Sequence, residues 1–244
     1  MVLFAILAGV LVLSVVAGLV GMRLLRRRQA MGRVRMADAI PVHSKFWREE
    51  RKKAGDLLYV AIGDSAAQGI GASLPNRGYV GILARHIQQE TGRTVRVVNL
   101  SVSGGRLREV IADQLPALAK LQPDILTVAI GANDIAGFDA KRFEREAKIV
   151  IAALPGHAIV ADVPAFYFGQ AERDARAAGA IVRRLAEQAG LTLAPLYAAT
   201  RKQTGAKTAL RDVAADFFHP NDRGYRVWAS AFLPAIDARL RELG

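Results

Sequence analysis

The sequence predicts an α/β fold in which a five-stranded parallel sheet is covered by helices on both faces and preceded by an N-terminal transmembrane helix. From residue 56 onward, five short apolar runs alternate with segments that repeat apolar residues at helical spacing. The residues just after these runs are small or polar, as expected where ligands bind at the carboxyl edge of a parallel sheet. Before all of this, residues 2–22 carry no charge, and Ser14 is their only polar side chain.

At about 1.5 Å per residue, the stretch 2–22 is long enough to cross a hydrocarbon core. A cleaved signal peptide would begin with positive charge and end in a small-x-small site, whereas here Arg23, Arg26, Arg27 and Arg28 follow the apolar run. Residues 1–22 therefore read as an uncleaved membrane anchor. Residues 23–55 read as a basic juxtamembrane linker, with Pro41 in the middle, an apolar patch at Phe46 and Trp47, and no clear helical stripe. The domain expected from residue 56 to 244 opens with a strand over 57–62. A helix over 79–90 follows, with Val80, Leu83 and Ile87 on one face, and then a strand over 95–100. A helix over 107–121, interrupted near Pro116, leads to a strand over 125–130. Helix 140–154 precedes strand 158–163, helix 171–188 precedes strand 191–196, and a last helix spans 222–243.

Composition narrows the chemistry. The chain has no cysteine, so disulfides, thiolate nucleophiles and cysteine-built zinc sites are excluded. His43, His86, His157 and His219 have no second ligand at metal spacing, so no metal is expected. The net charge of +12 invites a nucleic-acid reading. Most of it, however, lies between Arg23 and Gly55, where eleven basic residues face three acidic ones for a net of +8. The remainder is ordinary for a soluble domain, and nucleic acid is not expected as a partner.

The turn after the first strand is the chemical centre. Gly63-Asp64-Ser65 breaks the apolar run and delivers a hydroxyl, followed by Ala66, Ala67, Gly69 and Gly71, which let backbone come close. It is not a dinucleotide fingerprint, because Leu74 stands where the third glycine belongs, and no Gly-Lys-Ser/Thr makes it a phosphate loop. Nor is it the G-x-S-x-G elbow, since Ala67 occupies the last position. A serine nucleophile needs a base and oxyanion donors. Candidates follow the other strands: a glycine-rich turn in Asn99-Leu100-Ser101-Val102-Ser103-Gly104-Gly105 and a carboxamide in Gly131-Ala132-Asn133-Asp134. Before the last helix, Asp216-Phe217-Phe218-His219 offers an imidazole with a carboxylate three residues upstream.

These four blocks, in this order, resemble the SGNH (GDSL) hydrolases over roughly residue 57 to the C-terminus. The resemblance implies a three-layer α/β/α sandwich of flavodoxin-like type and acyl hydrolysis without a cofactor. It implies Ser65 as nucleophile, His219 as general base and then acid, and Asp216 as the group that orients the imidazole. It further implies an oxyanion hole made by the backbone N–H groups of Ser65 and Gly104 and the side-chain amide of Asn133. Phe166, Tyr167 and Phe168, with Phe138, Phe217 or Phe218, are candidates to line an acyl pocket. Asp64 and Asp134 read as local turn groups, and His86 and His157 as surface residues.

The function expected is a serine esterase or lysophospholipase-like acyl hydrolase acting on a small-molecule or lipid ester beside anionic headgroups. Acyl transfer, carbohydrate deacetylation and a non-catalytic binding module are the alternatives on the same fold. Arginines after the apolar run, with only Met1 before it, place the domain in the cytoplasm by the positive-inside rule.

Overall fold

The computed structural model describes residues 2–202 and 211–244, with the side chains of residues 2, 3 and 5–12 left out. Five parallel strands, β1 (Leu57–Gly63), β2 (Val95–Asn99), β3 (Ile125–Ala129), β4 (Ile159–Ala161) and β5 (Thr192–Ala194), form one sheet in the order β2-β1-β3-β4-β5. β1 is an interior strand, flanked by β2 and β3. Tyr59 is in register with Val97 on one side and Ile125 on the other, so both edges of the strand are hydrogen-bonded and its end is fixed.

Alternate residues of β1 feed two separate cores. Val60 and Ile62 join Leu126, Val128 and Val160 beneath the helices α5 (Ala140–Ala152) and α6 (Gly169–Gln188). Tyr59 and Ala61 join Ile125 and Ala161 beneath α2 (Tyr79–Thr91) and the C-terminal α8 (Asp222–Leu243). This is the expected three-layer arrangement, because a strand with period-two side chains and helices on both faces buries both sets. Local signals stop the helices where the sequence suggests. Gly92, at φ 66°, ends α2 and donates its N–H to the Gln88 carbonyl. The Asp139 side chain accepts from the Arg142 N–H to start α5.

The interruption near Pro116 has a specific form. Short helices α3 (Leu107–Glu109) and α4 (Leu115–Leu118) flank a π-helical turn at Val110–Gln114. Proline cannot donate to the carbonyl four residues back and its ring crowds that carbonyl, so the preceding turn widens. One short helix, α7 (Leu196–Arg201), begins where the fifth strand was expected to continue.

The segment 23–55 departs most from expectation. Residues 23–50 are not a linker but the continuation of helix α1 (Val2–Glu50), with Pro41 inside it. Among its buried and half-buried positions, Gly32, Met36, Ile40, His43 and Trp47 recur at helical spacing, and Gly32, His43 and Trp47 meet the domain. Trp47 is only 5 % exposed and packs in the core that contains Leu57 and Tyr59. A methyl group at Gly32 would lie 2.4 Å from the carbonyl of Ala215, so only glycine lets the helix approach there. For the expected anchor, residues 1–3 and 5–12 lie outside the described side chains. Among the described residues, no helix is long and apolar enough to cross a membrane.

Candidate active site

Ser65 sits in the turn that leaves β1, buried at the carboxyl edge of the sheet. The turn is held from several sides. The buried Gln114 side chain, from the π-helical turn, accepts from the Gly63 N–H at 3.0 Å and donates to the Gly63 carbonyl at 2.9 Å. Asn99 donates to the Ala67 carbonyl at 2.8 Å, and Gln68 donates to the Ser101 carbonyl while accepting from the Ser103 hydroxyl. The Gln68 carbonyl accepts from the Trp47 indole at 3.0 Å and lies 2.9 Å from His43 Nδ1. Burial holds the His43 imidazole below its ordinary pKa, against the hydrogen bond to Gln68 that works the other way.

The loop before α8 brings the imidazole. Asn221 starts α8 by accepting from Arg223 and Gly224, while its amide donates to the carbonyls of Arg211 and Val213. Val213 pairs with Pro220, and the Ala214 N–H donates to the His219 carbonyl at 2.7 Å, closing a tight loop. Phe217 takes φ 58°, a left-handed conformation rare for an aromatic residue, so this loop stores strain. Gly71, at φ 99°, fits beneath it. A methyl group there would lie 2.4 Å from the Pro220 carbonyl.

These two loops meet. His219 Nε2 is 2.8 Å from Ser65 Oγ, and His219 Nδ1 is 2.6 Å from Asp216 Oδ2. The other Asp216 oxygen accepts from the backbone N–H groups of Phe218 and His219, both at 3.1 Å. Burial pushes the Asp216 carboxyl up, but its hydrogen bond to His219, the imidazole charge and the two N–H groups outweigh that and hold it below the ordinary range. Asp216 is thus an ionised acceptor of fixed orientation, placed to hold the imidazole with Nδ1 protonated and Nε2 free to take a proton from Ser65.

The expected oxyanion donors are close to the same turn. Neither the Ser65 nor the Gly104 N–H has an internal acceptor among the described residues, and Gly104 takes φ 77°. Asn133 differs from expectation, because its amide donates both hydrogens internally, to Asp64 Oδ2 at 3.2 Å and to the Gly105 carbonyl at 3.0 Å. It bridges the nucleophile turn and the glycine turn, and must release or share one bond to reach an oxyanion. Burial, opposed by the Ala66 N–H, pushes the Asp64 carboxyl up to about 6. Burial likewise raises Asp134, which accepts from the Leu107 N–H, to about 6.

A cavity of about 140 Å³ opens over Ser65 and His219. Phe166, Tyr167, Phe217 and Phe218 line it as expected, together with Trp228 and Val213, which the sequence did not single out. Phe138 instead packs against Phe143 in the core, and Phe168 is 81 % exposed. His86 and His157 are half-buried structural groups: His86 Nε2 lies 2.6 Å from Asp237, joining α2 to α8, and His157 Nε2 contacts the Pro123 carbonyl at 2.9 Å.

Sequence comparison agrees with this geometry: the profile described as the GDSL-like Lipase/Acylhydrolase family matches residues 61–227. The chain belongs to that family. Solved structures with the same fold include LAE5, an alpha/beta hydrolase enzyme from the metagenome of Lake Arreo, Spain, at 27 % identity. That match covers 77 % of this chain and 98 % of LAE5, with a TM-score of 0.63. Axe2, an acetylxylan esterase from Geobacillus stearothermophilus, is 21 % identical over 75 % of this chain and 95 % of its own, with a TM-score of 0.58. TesA is 23 % identical over 75 % of this chain and 99 % of its own, with a TM-score of 0.61. A comparison with curated proteins finds no match. The family match begins inside β1, so the docked α1 lies outside the matched region.

Proposed function

We propose that this GDSL-family hydrolase is a serine esterase that cleaves carboxylic esters through an acyl-enzyme intermediate, held at a membrane by residues 2–22. The observation that carries the reading is the unbroken chain of contacts from Asp216 through His219 to Ser65, on the floor of a cavity with mostly apolar walls. In the first half-reaction, Ser65 Oγ attacks the ester carbonyl while its proton passes to His219 Nε2. The oxyanion that forms is positioned for the N–H groups of Ser65 and Gly104 and for the Asn133 amide. Collapse of the tetrahedral species expels the alkoxide, which takes the proton from His219 and leaves as the alcohol. In the second half, water gives its proton to His219 and attacks the acyl-serine, and collapse returns the proton to Ser65 Oγ and releases the acid. Asp216 stays ionised throughout and stabilises the imidazolium.

The apolar cavity favours an acyl group over a sugar as the part bound beside Ser65. Six arginines between Arg23 and Arg35, following the apolar run, favour a cytoplasmic domain beside anionic headgroups. The test of the hydrolase reading is a panel of p-nitrophenyl esters of increasing acyl length, with the full chain and its Ser65→Ala variant. Serine-dependent release of nitrophenol is expected, and release that survives loss of Ser65, or none on any ester, overturns it.

A further inference from the structure

Outside α1, the described residues expose five large apolar side chains: Leu74, Val102, Ile149, Phe168 and Phe218. Ile149 lies on α5. The other four stand on the loops after β1, β2 and β4 and on the loop that carries His219, all at the carboxyl edge of the sheet. Phe218, 50 % exposed, lines the cavity over Ser65, and Phe168 stands next to its wall residue Tyr167. Four of the five exposed apolar side chains thus lie on one edge of the domain, the edge where the cavity opens, which marks that edge as an interaction face.

Helix α1 indicates what covers that face. It docks along the domain through Trp47, His43 and Gly32, and Arg28 Cζ lies 5.8 Å from the centre of the Phe217 ring, at the cavity wall. Beyond this point the helix leaves the domain. Residues 13–28 are exposed apart from Gly21, and they include Leu13, Leu19, Val20, Leu24 and Leu25. Arg28 lies six positions after Met22, or about 9 Å along the helix. The apolar stretch therefore begins less than two turns from the rim of the cavity.

We propose that the carboxyl edge of the domain, which exposes Leu74, Val102, Phe168 and Phe218, rests on the surface of a bilayer, so that the cavity takes its ester from the membrane rather than from water. The substrate class is a long-chain acyl ester resident in the bilayer. Arg26, Arg27 and Arg28 lie at the depth of the headgroups and complement anionic lipid, while the apolar rim enters the boundary between headgroups and acyl chains. The inference rests on the reading of residues 2–22 as an anchor and of Ser65 as the nucleophile.

The cysteine-free chain allows single labels. Phe168→Cys, Phe218→Cys and, on the exposed end of α2, Glu90→Cys are introduced into the full chain and labelled with bimane. Each is reconstituted into phosphatidylcholine vesicles containing about one-third phosphatidylglycerol and a headgroup spin-labelled quencher. Quenching at 168 and 218 is expected to exceed that at 90 by roughly threefold or more. Equal quenching in protein that floats with the vesicles overturns the docked rim and leaves the anchor standing, whereas protein that does not float overturns both. A long-chain p-nitrophenyl ester is then placed in the vesicles that carry unlabelled protein or in a separate vesicle population. Hydrolysis about tenfold faster in the shared vesicles supports supply from the membrane, and equal rates overturn it. Soluble p-nitrophenyl butyrate, assayed on the same unlabelled protein, completes the test of the hydrolase reading: inertness toward both it and the long-chain ester, with uneven quenching, overturns the esterase and supports the docked rim.

Discussion

His219 Nε2 and Ser65 Oγ lie 2.8 Å apart, within reach for direct proton transfer. Because each group is useless without the other, Ser65→Ala and His219→Ala are each expected to lower kcat by roughly 10⁴ or more, with the double variant losing little further. Full additivity in the ester assay would contradict a shared step. Asp216→Asn is expected to cost less than loss of the serine, since the backbone donors and the imidazole remain.

Asn133 is expected to act on charge that exists only in the transition state. Its replacement by Ala should lower kcat by roughly 10²–10³ with KM almost unchanged. A rise in KM at constant kcat would assign it to substrate binding instead.

Asp64 gives a pH signature in stability. Its carboxyl, near 6 when folded, lies above the ordinary value of 3.8, so the folded state binds the extra proton between those limits. Its contribution is fully present below pH 4 and is lost as pH rises through about 6. Asp64→Asn removes that term. The difference in urea midpoint between wild type and variant is therefore expected to shift against wild type from pH 4 to pH 7 and then level off. A difference independent of pH would show that Asp64 titrates normally.

The docked part of α1 is expected to matter to the catalytic domain even in detergent. Trp47→Ala should destabilise the chain by about 3–5 kcal/mol in urea unfolding, as for other buried tryptophans. Gly32→Ala should cost about 1–3 kcal/mol and lower kcat, because the added methyl pushes the helix off Ala215 and the Asp216 backbone. A fragment beginning at residue 56 as stable and active as the full chain would refute this role.

Orientation in the membrane is read by a reporter fused after Gly244. Fluorescence of a cytoplasm-only reporter is expected, with no alkaline phosphatase activity at the same position. Replacing Arg26, Arg27 and Arg28 by Ala while adding Lys after Met1 should shift the balance toward the opposite orientation.

The sheet and its helices were legible because each leaves a local trace, an apolar run or a helical stripe, while the pairing of Ser65 with His219 and Asp216 was expected from the family resemblance of short blocks after strands and before the last helix. What escaped leaves none. Gln114 is an isolated glutamine in a helix, and only the π-helical turn before Pro116 aims it at both polar groups of Gly63. Residues 23–50 hid their buried stripe because its contact positions include Gly32 and His43, which score as neither apolar nor helix-forming. Trp228 became a cavity wall only through the docking of α8 against α2, a relationship set by packing across the sheet. The double use of the Asn133 amide is likewise a matter of distances that no spacing encodes.

The loop that carries His219 is held by the first turn of α8, and 154 positions separate the imidazole from Ser65. During synthesis from the N-terminus, α1 and the serine turn leave the ribosome long before His219, the proposed base. On the proposed mechanism, reactivity toward esters requires that α8 has emerged and packed, so a nascent or C-terminally clipped chain is expected to carry a buried serine and no means of using it.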